Sequence, residues 1–359
     1  MWGETKKQPL AFAVRSGTIP VVAPAEMYIR GTGSYLPESS ATVEELAAEH
    51  RLDAGRLKTK GYRRIPIAPE DLMPTEMAAT ASRRALRAAG IAADDLDVII
   101  YTGVHKDHGR WQASNKVQVL LQAMNSYVFD LDQNAAGPVM GIVMACSLLR
   151  DGEGCRNVLV CGGENWHTSL DGRLLGRSFL MGDAASAVVV SGSGGPLGIV
   201  DWELGCLGRY SKAICMPELG AVTRMSEDVL RRGGHLLQLF DPGWKDEEER
   251  KRVTGEFNSF CAGVVSRLLS RNGLGPSDLS AFVLPNLPAP HTTSLVEAMG
   301  IAHDAVRQPT LSEAGVCGGP DLMMNLERLV RSGVEPGGHV LVLGVGAGYH
   351  ASAVLLKAR

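Results

Sequence analysis

The sequence predicts an α/β fold built from two similar halves. Apolar runs that suit buried strands alternate along the chain with amphipathic stretches that suit helices. The strands lack a strict apolar–polar alternation, which indicates sheets covered by helices on both faces. A helix–glycine–strand passage over residues 85–100 recurs over residues 268–284. Because this passage returns at matching places in the two halves, we expect a duplicated unit.

The individual elements follow from local patterns. Gly90 and Gly273 each follow a helical stretch and precede a buried strand, as helix-ending glycines do. For the first half we predict helices over 75–89 and 137–149 and strands at 98–102, 157–161 and 187–190. For the second half we predict helices over 247–270, 293–299 and 321–330 and strands at 282–284, 340–344 and 351–356.

Length and composition agree with this class. A chain of 359 residues is long enough for two fused half-domains with a large shared core. With 45% hydrophobic and 21% charged residues it is ordinary globular protein, which excludes the disordered and fibrous classes. The net charge of −3 gives no reason to expect nucleic acid or an anionic membrane as a partner.

The cysteines and the termini carry no specialised signal. The seven cysteines show neither C-x-x-C nor a His/Cys ligand spacing, so we predict no metal site and no disulfide scaffold. A reducing cytoplasm is the simplest compartment. We expect neither a targeting segment nor a membrane helix, because the apolar run after Pro9 is short and is broken by Arg15.

Five short segments, taken in order, carry a resemblance to a known family. They read IRGTGSYLP at 29–37, KGYRR at 60–64, FDLDQNAAG at 129–137, FLMGDAASA at 179–187 and GVGAGY at 344–349. Together they resemble the ketoacyl synthase III branch of the thiolase superfamily across nearly the whole chain. The resemblance implies a thiolase fold, in which two duplicated α/β halves form a five-layered α-β-α-β-α arrangement. It also implies a homodimer, no tightly bound cofactor, and an acyl-CoA or an acyl-phosphopantetheine carrier protein as substrate.

The resemblance divides the chain into three parts. Residues 1–25 form an N-terminal arm, and residues 26–193 form a thiolase-like half that carries the nucleophile turn. Residues 194–359 form the second half, which carries the other site loops. The glycine- and serine-rich stretch at 191–196 marks the seam between the halves.

The three residue positions that carry catalysis in this family are all changed here. The nucleophilic cysteine, which must be both a nucleophile and a leaving group, is replaced by Ala135. The histidine position falls on Asn286, whose amide donates hydrogen bonds but is no base at neutral pH. The asparagine position falls on Val316, with Asp321 close by in the same loop. Asp321 is either a catalytic replacement or a carboxylate favoured by the start of a helix.

Other groups complete the predicted site. Backbone N–H groups at Ala135 and in the turn holding Gly346 and Gly348 would form an oxyanion hole. His350 follows that turn and is a candidate base. Cysteine 317 is either a relocated thiol or a buried structural residue.

The mouth of the site would hold the basic groups that meet the donor's phosphates. Lys60 and Arg63, with the neighbouring residues 58 and 64, are candidates for this contact, and so is His291 at a helix start. For His105 and His108 a solvated loop is the simpler interpretation than a metal site.

Two functional hypotheses follow. In the first, the chain is an acyltransferase or condensing enzyme of specialised, polyketide-like metabolism that moves an acyl group from a CoA or carrier thioester without a covalent intermediate. In the second, it is a non-catalytic subunit that supports an active homologue. The alanine at position 135 is either a natural loss or an engineered change from cysteine; Asn286 and Val316 favour natural loss, because a designed knockout would alter the nucleophile alone.

Overall fold

A computed structural model describes residues 26–151, 154–176, 178–239 and 247–359. The predicted N-terminal arm lies outside these residues. No helix in the described ranges is long and apolar enough to cross a membrane. The strands are β1 Tyr28–Tyr35, β2 Ser40–Thr42, β3 Arg64–Pro66, β4 Val98–Tyr101, β5 Tyr127–Asp130, β6 Asn157–Glu164, β7 Leu174–Leu175, β8 Phe179–Leu180, β9 Ala184–Ser191, β10 Leu197–Cys206, β11 Ile214–Cys215, β12 Gln238–Leu239, β13 Leu279–Val283, β14 Val306–Arg307, β15 His339–Gly346 and β16 His350–Ala358.

The helices pack on the large sheet or on its connecting segments. They are α1 Val43–His50, α2 Ala54–Thr59, α3 Pro74–Ala89, α4 Ala113–Leu121, α5 Gly137–Asp151, α6 Glu227–Arg231, α7 Glu247–Arg271, α8 Ala289–Met299, α9 Leu311–Ala314 and α10 Gly319–Ser332. Each helix and strand predicted in the two halves is present, and most extend a few residues beyond the predicted limits. The strand predicted at 282–284 begins earlier, at Leu279.

The sheet topology shows the duplication directly. Ten strands run in the order β14-β13-β15-β16-β10-β1-β9-β6-β4-β5. In the first half β5, β4 and β6 are parallel, and β9 and β1 continue antiparallel. In the second half β14, β13 and β15 are parallel, and β16 and β10 continue antiparallel. Within the ten-stranded sheet, the two halves pair where Tyr28 and Ile29 of β1 face Gly198 and Leu197 of β10.

The buried side chains divide into layers that match the predicted α-β-α-β-α arrangement. One apolar cluster joins α5 and α10 to the inner faces of both half-sheets. A second joins α3 and α4 to the outer face of the first half, and a third joins α7 and α8 to the outer face of the second. The middle helices are therefore covered on both sides, and a segment that begins α5 or α10 lies where the two halves meet.

The repeated helix–glycine–strand passages fold as the sequence indicates. Helix α3 begins with Pro74, a residue preformed for the first helical turn, and ends at Gly90 in the left-handed conformation with φ of 66°. Gly273 has the same conformation after α7, with φ of 69°. Strand β1 crosses α3 at Gly31 and Gly33, where a Cβ atom would overlap helix backbone. Glycine at these positions allows the close contact of strand and helix.

Candidate functional site

The turn around Ala135 joins a strand to a central helix, as the sequence predicted. Strand β5 ends at Asp130, a short 3₁₀ turn covers Asn134–Ala136, and α5 follows at once. Asn134 has a φ of 50°, in the left-handed region that few non-glycine residues adopt. Strained backbone of this kind persists where the surrounding structure holds it, often at functional sites. The turn thus presents residue 135 at the start of a central helix.

Gly346 lies directly against this turn. A Cβ atom on Gly346 would stand 2.9 Å from the backbone nitrogen of Ala136 and 3.3 Å from that of Ala135. Only glycine allows the end of β15 to approach these N–H groups so closely. The structure therefore brings together Ala135 and Gly346, two of the three positions predicted to form the oxyanion hole, and that role stays a prediction.

A cavity of about 230 Å³ opens beside this contact. Its wall combines the ends of both halves with the segment between β10 and α7, and most of its side chains are apolar or aromatic. The lining residues are Val104, Asn134, Ala135, Trp166, Leu175, Phe179, Met181, Ile214, Leu237, Leu239, Thr254, Phe257, Asn258, Pro285, Asn286, Leu287, His291, Leu295, Val316, Gly318, Asp321, Val345, Gly346, Ala347 and Tyr349. Apolar walls with a few polar groups are typical of small-molecule sites.

Asp321 is the acidic side chain of this cavity. It lies in the first turn of α10 and is fully buried. The backbone N–H of Cys317 donates to Oδ2 at 2.8 Å, whereas Oδ1 accepts no hydrogen bond within the described part of the chain. Burial raises the pKa of Asp321 to about 7, against the lowering effect of nearby backbone N–H groups. A carboxyl with this pKa can accept and return a proton near neutral pH.

Asn286 also lines the cavity, but its amide is fully engaged elsewhere. Nδ2 donates to the hydroxyl of Thr310 at 3.0 Å and to the carbonyl of Gly315 at 2.6 Å. Oδ1 accepts from Asn325 Nδ2 at 3.0 Å and faces the Thr310 hydroxyl at 3.2 Å. Both amide hydrogens are used, so a bond to substrate would require one of these to break. The geometry gives Asn286 a structural role, and its predicted catalytic role stays a prediction.

The loop before α10 places two further residues. Val316 lines the cavity and forms an isolated bridge with Met181. Cys317 is fully buried, and burial raises the pKa of its thiol well above the usual value, with the charge of Asp321 adding to the effect. A thiol in this state is not a nucleophile at neutral pH. The structure favours the structural alternative for Cys317.

His350 and Gly348 lie outside the cavity lining. The amide of Gln133 donates to His350 Nδ1 at 2.7 Å, and burial lowers the pKa of this histidine. Gly348, with φ of 79°, forms the turn between β15 and β16 against the His350 ring. Neither residue is among those that line the cavity, and the roles predicted for them stay predictions. The sharp turn itself explains the glycine.

The predicted mouth residues separate into two groups. His291 lines the cavity with its ring centroid 5.2 Å from that of Phe179, and burial lowers its pKa, with the charge of Lys60 adding to the effect. Lys60 is buried, and its Nζ lies 3.3 Å from the hydroxyl of Ser178. Arg63 is exposed and does not line the cavity. His291 therefore lies in the cavity wall, and its predicted contact with the donor stays a prediction.

Sequence reasoning missed much of the wall. Trp166 and Phe257 lie in none of the five motif segments, Tyr349 was noted only as the end of the glycine-rich turn, and the segment from β11 to β12 contributes Ile214 and Leu237. The one signal in the sequence that could have indicated these wall residues is that they are apolar residues within polar stretches of the chain. The solvated loop expected around His105 is also wrong for that residue, whose side chain is only 11% exposed and pairs with a buried glutamate.

Comparisons with known proteins agree with the fold and the order of motifs. Residues 129–208 match the family 3-oxoacyl-[acyl-carrier-protein] synthase III, and residues 269–358 match its C-terminal family. A β-ketoacyl-[acyl-carrier-protein] synthase III of Acidiphilium cryptum is 29% identical over 92% of this chain and 98% of its own.

Solved structures show the same fold. The 3-oxoacyl-(acyl carrier protein) synthase III of Pseudomonas aeruginosa PAO1 has a TM-score of 0.78 at 24% identity, covering 93% of this chain and 98% of its own. The priming β-ketosynthase of the R1128 polyketide biosynthetic pathway has a TM-score of 0.78 at 24% identity, covering 94% and 99%. The duplicated sheet, the retained turn and these matches lead to one conclusion: the chain belongs to the ketoacyl synthase III branch of the thiolase superfamily.

Proposed function

We propose that this protein is an acyltransferase or condensing enzyme that moves an acyl group from a CoA or carrier-protein thioester directly to an acceptor. The observation that carries the proposal is Asp321, a buried carboxyl with a pKa of about 7 in the wall of an apolar cavity. Perturbed carboxyls in clefts are candidates for proton transfer. The relative from Acidiphilium cryptum is named a β-ketoacyl-[acyl-carrier-protein] synthase III, which supports a thioester donor.

The chemistry needs no covalent enzyme intermediate. The thioester carbonyl would lie against the backbone N–H of Ala135 beside Gly346, with its acyl chain along the apolar wall. As the acceptor attacks the carbonyl carbon, its proton passes to the ionised Asp321. The carbon–sulfur bond then breaks, and the leaving thiolate takes that proton. Positioning of the two substrates and charge stabilisation by backbone N–H groups would supply most of the acceleration.

The changed positions favour a role outside housekeeping elongation. Asn286 cannot act as a base, and Val316 has no hydrogen-bonding side chain. A fold neighbour is described as the priming ketosynthase of a polyketide pathway, which agrees with a place in specialised metabolism. We also propose that the active form is a cytoplasmic homodimer.

The test is product formation with a panel of acyl-CoA and acyl-carrier donors and amine, alcohol and carbon acceptors, followed by mass spectrometry. Asp321→Asn should lower the transfer rate by roughly 10²–10⁴-fold. The exposed carboxyl of Asp304 provides the matched control, Asp304→Asn, with an unchanged rate. Equal rates in the wild type and Asp321→Asn would refute the assigned proton transfer.

Ala135→Cys tests the covalent alternative in the same assay. Acyl adducts on this variant alone, with transfer to an added acceptor, would mean that a competent covalent site has been silenced at position 135. Thiol release and product without an adduct on the wild type support direct transfer instead.

Two observations favour a second function: the alanine at position 135, and the amide of Asn286, whose hydrogen bonds are all made within the protein. Neither an alanine methyl nor an amide whose hydrogens are both engaged supplies a reactive group, as expected for a non-catalytic subunit that supports an active homologue. Such a subunit would copurify with a homologue that carries the cysteine, and it would form no product alone. Product formed by this chain on its own would rule this function out.

A further inference from the structure

A second polar cluster lies beside the cavity, centred on Glu164 at the end of β6. This carboxyl is fully buried, and its Oε2 lies 2.5 Å from His105 Nδ1. The backbone N–H groups of Val104 and His105 donate to its two oxygens at 2.8 and 3.1 Å. The carboxylate is thus fixed by three donors and holds the imidazole in one orientation.

The other imidazole nitrogen meets a serine. His105 Nε2 lies 2.7 Å from the hydroxyl oxygen of Ser169. Because a carboxylate only accepts hydrogen bonds, the proton of the neutral imidazole is on Nδ1, and Nε2 accepts from the Ser169 hydroxyl. A serine bonded to a histidine that a carboxylate orients is the arrangement that activates serine nucleophiles on unrelated folds.

Three residues of the cavity wall, Val104, Trp166 and Leu237, belong to the cluster or contact it. Val104 and Trp166 line the cavity, and the Trp166 ring stands edge-on to His105 with centroids 4.5 Å apart. Leu237, also in the wall, donates its backbone N–H to the carbonyl of Ser169 at 2.9 Å. Trp166 Nε1 is buried and has no acceptor among the residues that the structure describes. An N–H without an acceptor is a donor available to a carbonyl oxygen.

We propose that Ser169 is a nucleophile of this protein, with His105 as its base and Glu164 as the residue that positions the base. The side chains of His105 and Ser169 are only slightly exposed, so the acyl groups that reach them must be small. The substrate class is therefore short-chain activated esters and thioesters. This activity goes beyond transfer in the cavity and does not depend on Asp321.

The reaction balances with water as the only co-reactant. The Ser169 oxygen attacks the carbonyl carbon while its proton passes to His105 Nε2. The carbon–oxygen or carbon–sulfur bond of the substrate breaks, the leaving group takes the proton from His105, and the acyl group remains as an ester on Ser169. Water then attacks this ester, again giving its proton to His105, and the carboxylic acid leaves with the serine restored.

The experiment uses the full chain with two probes, p-nitrophenyl acetate and a small alkyl fluorophosphonate. We expect a burst of about one p-nitrophenol per chain and a phosphonate adduct that peptide mapping places on Ser169. Ser169→Ala should abolish both. Ser126→Ala is the matched control and should change neither, because the buried Ser126 hydroxyl donates only to a backbone carbonyl, that of Leu96.

The positioning role of Glu164 has its own measurement. Glu164→Gln should lower the acylation rate constant at saturating ester by roughly 10²–10⁴-fold, while the ester concentration for half-saturation stays unchanged. A loss of affinity with an unchanged rate constant would indicate a structural carboxyl instead. Equal labelling of the wild type and Ser169→Ala, or no label on the folded wild type, would overturn the proposal.

Discussion

Replacing Asn286 by alanine separates a structural from a catalytic role for the residue that stands at the family's histidine position. The substitution removes an amide that is completely buried and bonded on both its nitrogen and its oxygen. Two groups would lose the hydrogen bond that they make to Asn286: the carbonyl of Gly315 and one side-chain N–H of Asn325. Thr310 retains a bond to Asn325 Oδ1 at 2.8 Å. The network is thus broken but not abolished.

The expected cost follows from the groups left without partners. A buried polar group that loses its partner costs about 1–3 kcal/mol, so two of them cost about 2–6 kcal/mol of the free energy of unfolding. The entropy of unfolding is about 2.1 cal/mol/K per residue, which for 359 residues converts each kcal/mol into about 1.3 °C. We therefore expect the melting temperature of Asn286→Ala to fall by about 3–8 °C.

Circular dichroism melts and the transfer assay should be run on the same preparations. Asn125→Ala, in an exposed turn, is the matched control and should melt within about 1 °C of the wild type. A variant that melts normally but forms no product would refute the structural interpretation, because it would show that the amide acts on the substrate.

Three further predictions concern other parts of the site and core. Transfer should rise with pH through about 7 as Asp321 ionises and then level off, and Asp321→Asn should remove this step in the pH–rate profile. Gly346→Ala should lower the transfer rate at least tenfold, since its Cβ would stand 2.9 Å from a backbone nitrogen of the nucleophile turn, while Gly192→Ala, with open space around it, serves as control in the same kinetics. Arg173→Ala leaves the buried Asp183 without its charged partner, which bonds it at 2.9 Å through both terminal guanidinium nitrogens, and should lower stability by about 3–5 kcal/mol in urea unfolding. Unchanged kinetics for Gly346→Ala, or an unchanged urea midpoint for Arg173→Ala, would contradict the corresponding contact.

The fold was predictable because its signals are local and repeated. Gly90 and Gly273 end corresponding helices, and both precede buried strands, so each half could be recognised by its own pattern. The contact between Gly346 and the turn at Ala135 was predictable for a related reason. Both are backbone features, and glycine is the residue that permits such a close approach.

The polar contacts of the site were not predictable. Asn286 is engaged by Thr310 and Asn325, which lie 24 and 39 residues away in sequence, and no spacing rule connects them. The Glu164–His105 pair spans 59 residues and depends on the neighbouring ends of β4 and β6. The sequence could not decide whether His350 faces the cavity, because alternation along a strand fixes the face of a side chain only when the register is known.

Asp321 also bears on whether this chain is an enzyme or a silent subunit. A carboxyl whose pKa is 3.8 when solvated and about 7 when folded takes up a proton on folding at pH values between these two, so stability falls as the pH rises through that window. At 1.36 kcal/mol per pKa unit, the ionised form costs the fold about 4 kcal/mol above pH 7. The hydrogen bond from the Cys317 N–H does not require a carboxylate at position 321, because the side-chain oxygen of an asparagine would accept it equally well. Asp321→Asn should therefore raise the melting temperature at pH 8 and leave it nearly unchanged at pH 4. Such a gain would show that the carboxyl is retained at the expense of stability, which suits a proton-transferring group in an enzyme better than a residue of a scaffold.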